Sequence, residues 1–320
     1  MMFAAFMKMA IQMAVVYLFG CTGEILIEKG GNLNLGIPGI MCLGALGGAG
    51  GVDLYYHLFG LDNAIWIFFM LFVLFFTALF ACLGGFIYAL FTVTMKANQN
   101  VTGLVLTTFG VGVMKFVGSF IKIDVLSKAK YLFRATFIPF EKTGPIGEIF
   151  LSGGFLFYLA FILAIVLAIV LSKTRVGLFI RAVGESPATA DAQGIPVEKY
   201  KYACILIGSL IAGLGGLYYV CDYSGGKTFV DGTIDAYGWL ALALVIFSIW
   251  RPLFGIAGSI IFGGLTILPN YLNISIVQIK LFGMFPYLFT VLVLIITSIF
   301  GKRSVQPPSS LGVNYYREDR

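Results

Sequence analysis

Nine apolar runs, separated by short polar segments, divide the chain: 3–20, 33–51, 64–92, 101–121, 152–171, 200–221, 236–250, 253–269 and 283–300. A helix needs about 20 apolar residues to cross the hydrocarbon of a bilayer. Inside lipid, backbone N–H and C=O groups can be satisfied only within a helix or a closed barrel. Runs this long, without strict alternation, point to helices. The pattern predicts an all-α fold, a polytopic transmembrane helical bundle of about nine spans. Charge agrees, because only 11% of the 320 residues are charged, against about 25% in soluble domains. Such a chain cannot solvate a globular surface, which excludes a soluble enzyme, a disordered chain and a nucleic-acid module. The excess of Lys and Arg, 21 against 15 acidic residues, then reports orientation and membrane lipid rather than nucleic acid.

The run 64–92 is longer than a bilayer requires and is expected to tilt or project. The runs 236–250 and 253–269 are short, and Arg251-Pro252 between them predicts a tight turn rather than one long helix. The first run lacks a basic leader and reads as a retained helix. Basic residues in 172–201 and in the C-terminal tail place both on the cytoplasmic side, with four runs between them. Segment 122–151, with Lys122, Lys128, Lys130, Arg134 and Lys142, then faces outward together with the N-terminus. Small residues at four-residue spacing, such as Gly44 and Gly48, or Gly208, Ala212 and Gly216, predict close helix packing. Residues 1–303 form one transmembrane domain, and the polar tail 304–320, with Pro307-Pro308, is expected to be disordered.

Catalytic signatures are missing from the sequence. There is no phosphate loop, no HExxH and no GxSxG, and the cysteines Cys21, Cys42, Cys82, Cys204 and Cys221 form no CxxC pair. No catalytic residue, no metal site and no cofactor is expected, and the lone His57 has no visible partner. The acidic residues read as clustered in loops rather than spans. Lys115 is the one clearly mid-run charge, and it either snorkels to a surface or lines a solute path. Asn34, Asn98, Gln99 and Asn100 either line that path or cap helix ends.

The segment 172–199, SKTRVGLFIRAVGESPATADAQGIPVEK, is long and polar for a loop in such a chain. Ser186 is a good N-cap, Pro187 suits the first helical position, and the alanines that follow favour helix. Gly194 suits the residue after the helix end, and Pro196 stops continuation. A short, rigid, surface-lying helix over 186–194 is predicted, suited to docking on another protein.

Residues 173–196 resemble the cytoplasmic coupling segment of ABC importer permeases of the ribose and branched-chain amino-acid type. Thr174, Arg175, Gly177, Arg181, Ala182, Gly184, Ala190, Gly194 and Ile195 match that family's pattern. Glu28-Lys29-Gly30-Gly31-Asn32 and the following Leu33-Asn34-Leu35-Gly36 resemble its E-[RK]-x-G-x-x-N motif, with Pro38 where a Glu is usual. Residues 239–252, WLALALVIFSIWRP, resemble a third motif. The 320-residue length and Asn98-Gln99-Asn100 look most like the purine-nucleoside branch.

The resemblance implies a type II-like permease domain whose segment 172–199 couples to a separate ATPase through Glu185, Ser186, Ala188, Asp191 and Gly194. The partners it implies are that ATPase, a double-domain ABC ATPase, together with a second paralogous permease, a substrate-binding lipoprotein and a small-molecule substrate. ATP hydrolysis would lie on the ATPase, and the chain itself would be a multi-pass protein of a bacterial plasma or inner membrane. Riboflavin or a sugar is the alternative cargo within this family. An ATPase-independent secondary carrier or channel is the alternative outside it.

Overall fold

The computed structural model describes residues 2–61, 64–134, 144–226, 233–272, 281–300, 306–316 and 318. Among them the regular structure is helical. In chain order the helices are α1 (Met2–Lys29), α2 (Ile37–Phe59), α3 (Trp66–Ala89), α4 (Gln99–Gly118), α5 (Ile123–Phe133), α6 (Gly144–Phe150) and α7 (Phe155–Lys173). They continue with α8 (Arg175–Glu185), α9 (Pro187–Ala192), α10 (Val197–Leu217), α11 (Thr233–Phe247), α12 (Pro252–Ile267) and α13 (Phe285–Phe300). Five-residue and seven-residue π-helical turns, Leu90–Thr94 and Tyr218–Ser224, extend α3 and α10.

Among the described residues seven helices are long and apolar enough to cross a membrane: Phe3–Lys29, Ile37–Phe59, Trp66–Thr94, Gln99–Gly118, Phe155–Lys173, Val197–Ser224 and Pro252–Tyr271. The expected nine differ from these at two places. The runs 236–250 and 283–300 fold as α11 and α13, which hold 15 and 16 residues and fall short of the roughly 20 that span hydrocarbon. The first run extends well beyond residue 20, since nothing in Cys21–Lys29 breaks a helix before Gly30-Gly31. Between Phe247 and Pro252 the chain turns, with Ile249 and Trp250 both left-handed at φ 55° and 52°. Pro252 opens α12 at its first position, where its missing N–H costs nothing.

α1 lies at the centre. Its most apolar window is 94% buried, against 33% for α3, α4 and α7. Those outer helices turn Phe75, Leu79, Leu83, Ile162 and Ile169 outward, as a lipid solvent requires. The inner helices approach closely through small residues. A Cβ on Gly44 of α2 would collide with Gly213 of α10, and one on Gly208 of α10 would collide with α1 at Gly23. The small-residue stripes thus serve packing within the chain.

Contacts group the helix ends into two layers. At one end, Trp66 Nε1 donates to the Leu132 carbonyl, Tyr131 to that of Leu61, and Arg134 pairs with Asp222 at 3.3 Å. At the other end α8 and α9 lie against the loop 30–36 and the tail. Of the tail 304–320, expected to be disordered, residues 306–316 make contacts with the helix ends. Ser310 N and Oγ both donate to the Gly184 carbonyl, Asn314 Nδ2 donates to the Lys96 carbonyl at 2.6 Å, and Pro308 is buried. These hydrogen bonds reach both backbone carbonyls and the side chains of Glu185, Gln99 and Asp191.

Candidate functional site

The surface around α9 forms as the cap residues dictate. Thr174 Oγ1 accepts from Gly177 N and starts α8, and Ser186 Oγ accepts from Thr189 N and starts α9. Gly194 then takes φ 80° with nothing near the Cβ position, so the sharp exit from α9 is a backbone requirement alone. Ala190 is buried against Val183 and Val197, while Ala188 on the other side of the helix is half-buried. A cavity of about 610 Å³ opens beside α9, lined by Lys96, Asp191, Pro196, Glu198, Tyr315 and Tyr316.

Of the residues expected to meet a coupling partner, Ser186, Ala188 and Gly194 present themselves on this surface. Glu185 and Asp191 are engaged within the chain. Ser309 Oγ donates to Glu185 Oε2 at 2.8 Å, and the Tyr315 hydroxyl donates to Asp191 Oδ2 at 2.7 Å.

The five residues considered for a solute path do not converge. Asn98 Oδ1 caps α4 by accepting from Val101 N, and both Asn98 and Asn100 are exposed. Lys115 lies exposed in the last turn of α4, about 24 Å along the helix from Gln99 at 1.5 Å per residue. Asn34 and Gln99 are buried together. Gln99 Oε1 accepts from Leu33 N at 2.8 Å, and Asn34 Oδ1 accepts from Gly36 N at 2.9 Å and helps start α2.

Two buried carboxylates escaped the sequence reading, which placed acidic residues in loops. Glu24 and Glu28 lie one turn apart in α1. Glu24 Oε1 accepts from Asn34 N at 3.0 Å, and Glu28 Oε2 accepts from Trp250 Nε1. They bind the end of α1 to the 30–36 loop and to the turn before α12. The signal was available, because acidic residues four apart continue the helical face of an unbroken apolar run. Buried ionisable groups in a membrane segment mark function by default.

Toward the opposite end a second feature collects tyrosines. Tyr17 donates to or accepts from Thr266 Oγ1 at 2.8 Å and meets Tyr237 edge to face at 5.7 Å. Tyr219 stacks on Tyr223, 5.8 Å apart and tilted 22°, both on the π-helical turn Tyr218–Ser224. A cavity of about 270 Å³ beside them is lined by Tyr237, Thr266, Pro269, Asn270, Pro286 and Tyr287. A mostly apolar lining with two tyrosines and the polar Thr266 and Asn270 suits a small, uncharged ligand. Among the described residues no group of His, Cys, Asp and Glu side chains is arranged to hold a metal ion.

Residues 6–296 match the family described as branched-chain amino acid transport system / permease component. The nucleoside ABC transporter permease NupC of Lactococcus lactis subsp. cremoris is 31% identical over 310 residues, covering 94% of this chain and 93% of that protein. The guanosine ABC transporter permease NupQ of Bacillus subtilis is 31% identical over 317 residues, covering 93% and 92%. A putative glucose ABC transporter permease of Haloferax volcanii is 31% identical over 261 residues, covering 81% and 75%. No solved structure matches the chain.

Proposed function

The chain belongs to the permease family of branched-chain amino acid transport systems, as a multi-pass membrane subunit of an ABC transporter, and from that premise we propose that it forms half of an import path for a nucleoside-like solute. The observation that carries this reading is likeness over nearly the whole chain to two permeases named for nucleosides. The cavity beside Tyr237 and Tyr287 supports it, since those rings could stack on a planar base and Thr266 and Asn270 could bond ribose hydroxyls. Because the putative glucose permease is equally identical over a shorter stretch, a sugar is the second reading.

ATP hydrolysis lies on a partner, a double-domain ATPase that receives α9 in a cleft. Ser186, Ala188 and Gly194 meet it, with Glu185 and Asp191 at the rim. A second, paralogous permease completes the pathway, and a substrate-binding lipoprotein delivers cargo at the outer face. The path crosses the membrane nine times, with α11 and α13 included. At 15 and 16 residues they reach about 22–24 Å and rely on their flanking turns and local thinning of the bilayer. The N-terminus is outside, and α9 and the tail are inside. The basic α5 face, with Lys122 and Lys128, then meets acidic groups of the lipoprotein or anionic lipid.

The test is co-purification of the chain with the neighbouring transporter subunits, followed by ATPase assay with lipoprotein loaded with guanosine, glucose or riboflavin. Stimulation by guanosine is expected. Stimulation by glucose or riboflavin alone transfers the reading to that cargo, and uptake without any ATPase subunit overturns it. For topology, an impermeant thiol reagent on intact cells should label Ser127→Cys and spare Ser309→Cys in a cysteine-free background. The reverse pattern inverts the orientation.

A further inference from the structure

The tail 306–316 crosses the α9 end as a strap, and its polar anchors land on α8, on α9 and on the start of α4 with the residues before it. Ser309 holds Glu185 at the end of α8, Ser310 holds the Gly184 carbonyl, and Tyr315 holds Asp191 on α9. Asn314 spends both halves of its amide on the α3–α4 connection. Its Nδ2 donates to the carbonyls of Lys96 and Ala97 at 2.6 and 3.1 Å, and its Oδ1 accepts from Gln99 Nε2 at 3.1 Å.

From Gln99 the bonding continues inward. The same amide accepts from Leu33 N through Oε1 at 2.8 Å, the Leu33 carbonyl accepts from Tyr88 at 2.7 Å, and the next residue, Asn34, donates from its backbone to Glu24. Gly312 lies beside Leu33, where a Cβ would sit 3.6 Å from its side chain. An unbroken series of contacts therefore runs from α9 through Tyr315, Asn314 and Gln99 to the loop that starts α2 and to the buried carboxylate of α1.

We infer that this strap is a working part of the coupling apparatus, with Tyr315, Asn314 and Gln99 as positioning residues that pass displacement of α9 to the 30–36 loop and to α4. The inference rests on the proposal that α9 docks into the ATPase. A six-residue helix on a flexible loop could move without moving the core. Hydrogen bonds of 2.6–3.1 Å to two elements at once turn its displacement into a shift of the helix starts around Glu24. Gln99 suits the role because a single planar amide donates at one end and accepts at the other. α8 also touches the same loop directly, since a Cβ on Gly184 would collide with the Lys29 carbonyl. The experiment has to separate the two routes.

The test is amide hydrogen exchange on the purified full complex, with and without vanadate trapping, comparing the native chain with Asn314→Ala/Tyr315→Phe. In the native complex trapping should alter exchange in 175–194, 96–100 and 30–36. In the variant the change at 175–194 should persist, while those at 96–100 and 30–36 shrink between about two- and thirtyfold, the span of measured coupling effects. Comparing trapped with untrapped protein removes any merely structural loosening, which would alter both states alike. Full-size changes at 30–36 in the variant overturn the strap and leave docking intact, with direct Gly184 contact as the route. Absence of any change at 175–194 in the native complex overturns the docking proposal itself, and the strap with it.

Discussion

Replacing Trp250 by Phe isolates one bond that ties α1 to the turn before α12. The indole Nε1 donates to Glu28 Oε2, and the two residues are only 7% and 5% exposed. Phe keeps most of the apolar ring and deletes the donor. Deleting one partner of a buried hydrogen bond costs about 1–3 kcal/mol, because the acceptor left behind stays desolvated. The lost ring atoms add roughly 1 kcal/mol. Trp250 also sits left-handed at φ 52°, a conformation that costs a bulky residue about 1–2 kcal/mol, so the bond offsets strain as well as desolvation. Trp250→Phe should therefore destabilise the chain by about 2–4 kcal/mol in reversible unfolding in mixed detergent micelles. In a Glu28→Leu background the acceptor is gone, and the same change should cost only about 1 kcal/mol. Equal costs in both backgrounds, within about 0.5 kcal/mol, refute the assignment of the bond as the source.

Three further outcomes are expected. Gly194→Ala should cost about 1 kcal/mol through backbone strain alone, because φ is 80° and nothing crowds the Cβ; Gly194→Asn should cost clearly less, and thermal unfolding compares them. Ala188→Trp should leave folding intact, because Ala188 is half-buried, yet abolish ATPase-driven uptake, whereas Ala190→Leu at its buried site should destabilise by about 1–3 kcal/mol; equal stability of the two variants would contradict this. Asn98→Ala should lose about 1 kcal/mol of stability with its cap to α4, while the uptake rate per folded molecule is unchanged; a lower rate at unchanged stability would return Asn98 to the solute path.

The helical class, the apolar runs and the caps of α9 were legible in the chain. Each depends on neighbours within one or two turns: apolar length, Ser186 before Pro187, Gly194 before Pro196. The Arg251-Pro252 turn was legible for the same reason. The engagement of Glu185 and Asp191 was not, because their partners Ser309 and Tyr315 are 124 residues away. Nor were the contacts of 306–316, whose composition resembles that of an unfolded tail. Polar residues are ordered when they meet unpaired backbone groups, and where those groups lie is a tertiary fact. Asn98 and Gln99 show the division within two adjacent positions. Local capping explains the first, whereas the second acquires its role only because the tail and the 30–36 loop meet on either side of one amide. Sequence alone determined the helical class and where the apolar runs lie, since both follow from local composition. Only tertiary structure decided which polar groups spend their hydrogen bonds inside the chain and which stay free for a partner, because that allocation depends on residues far apart along it.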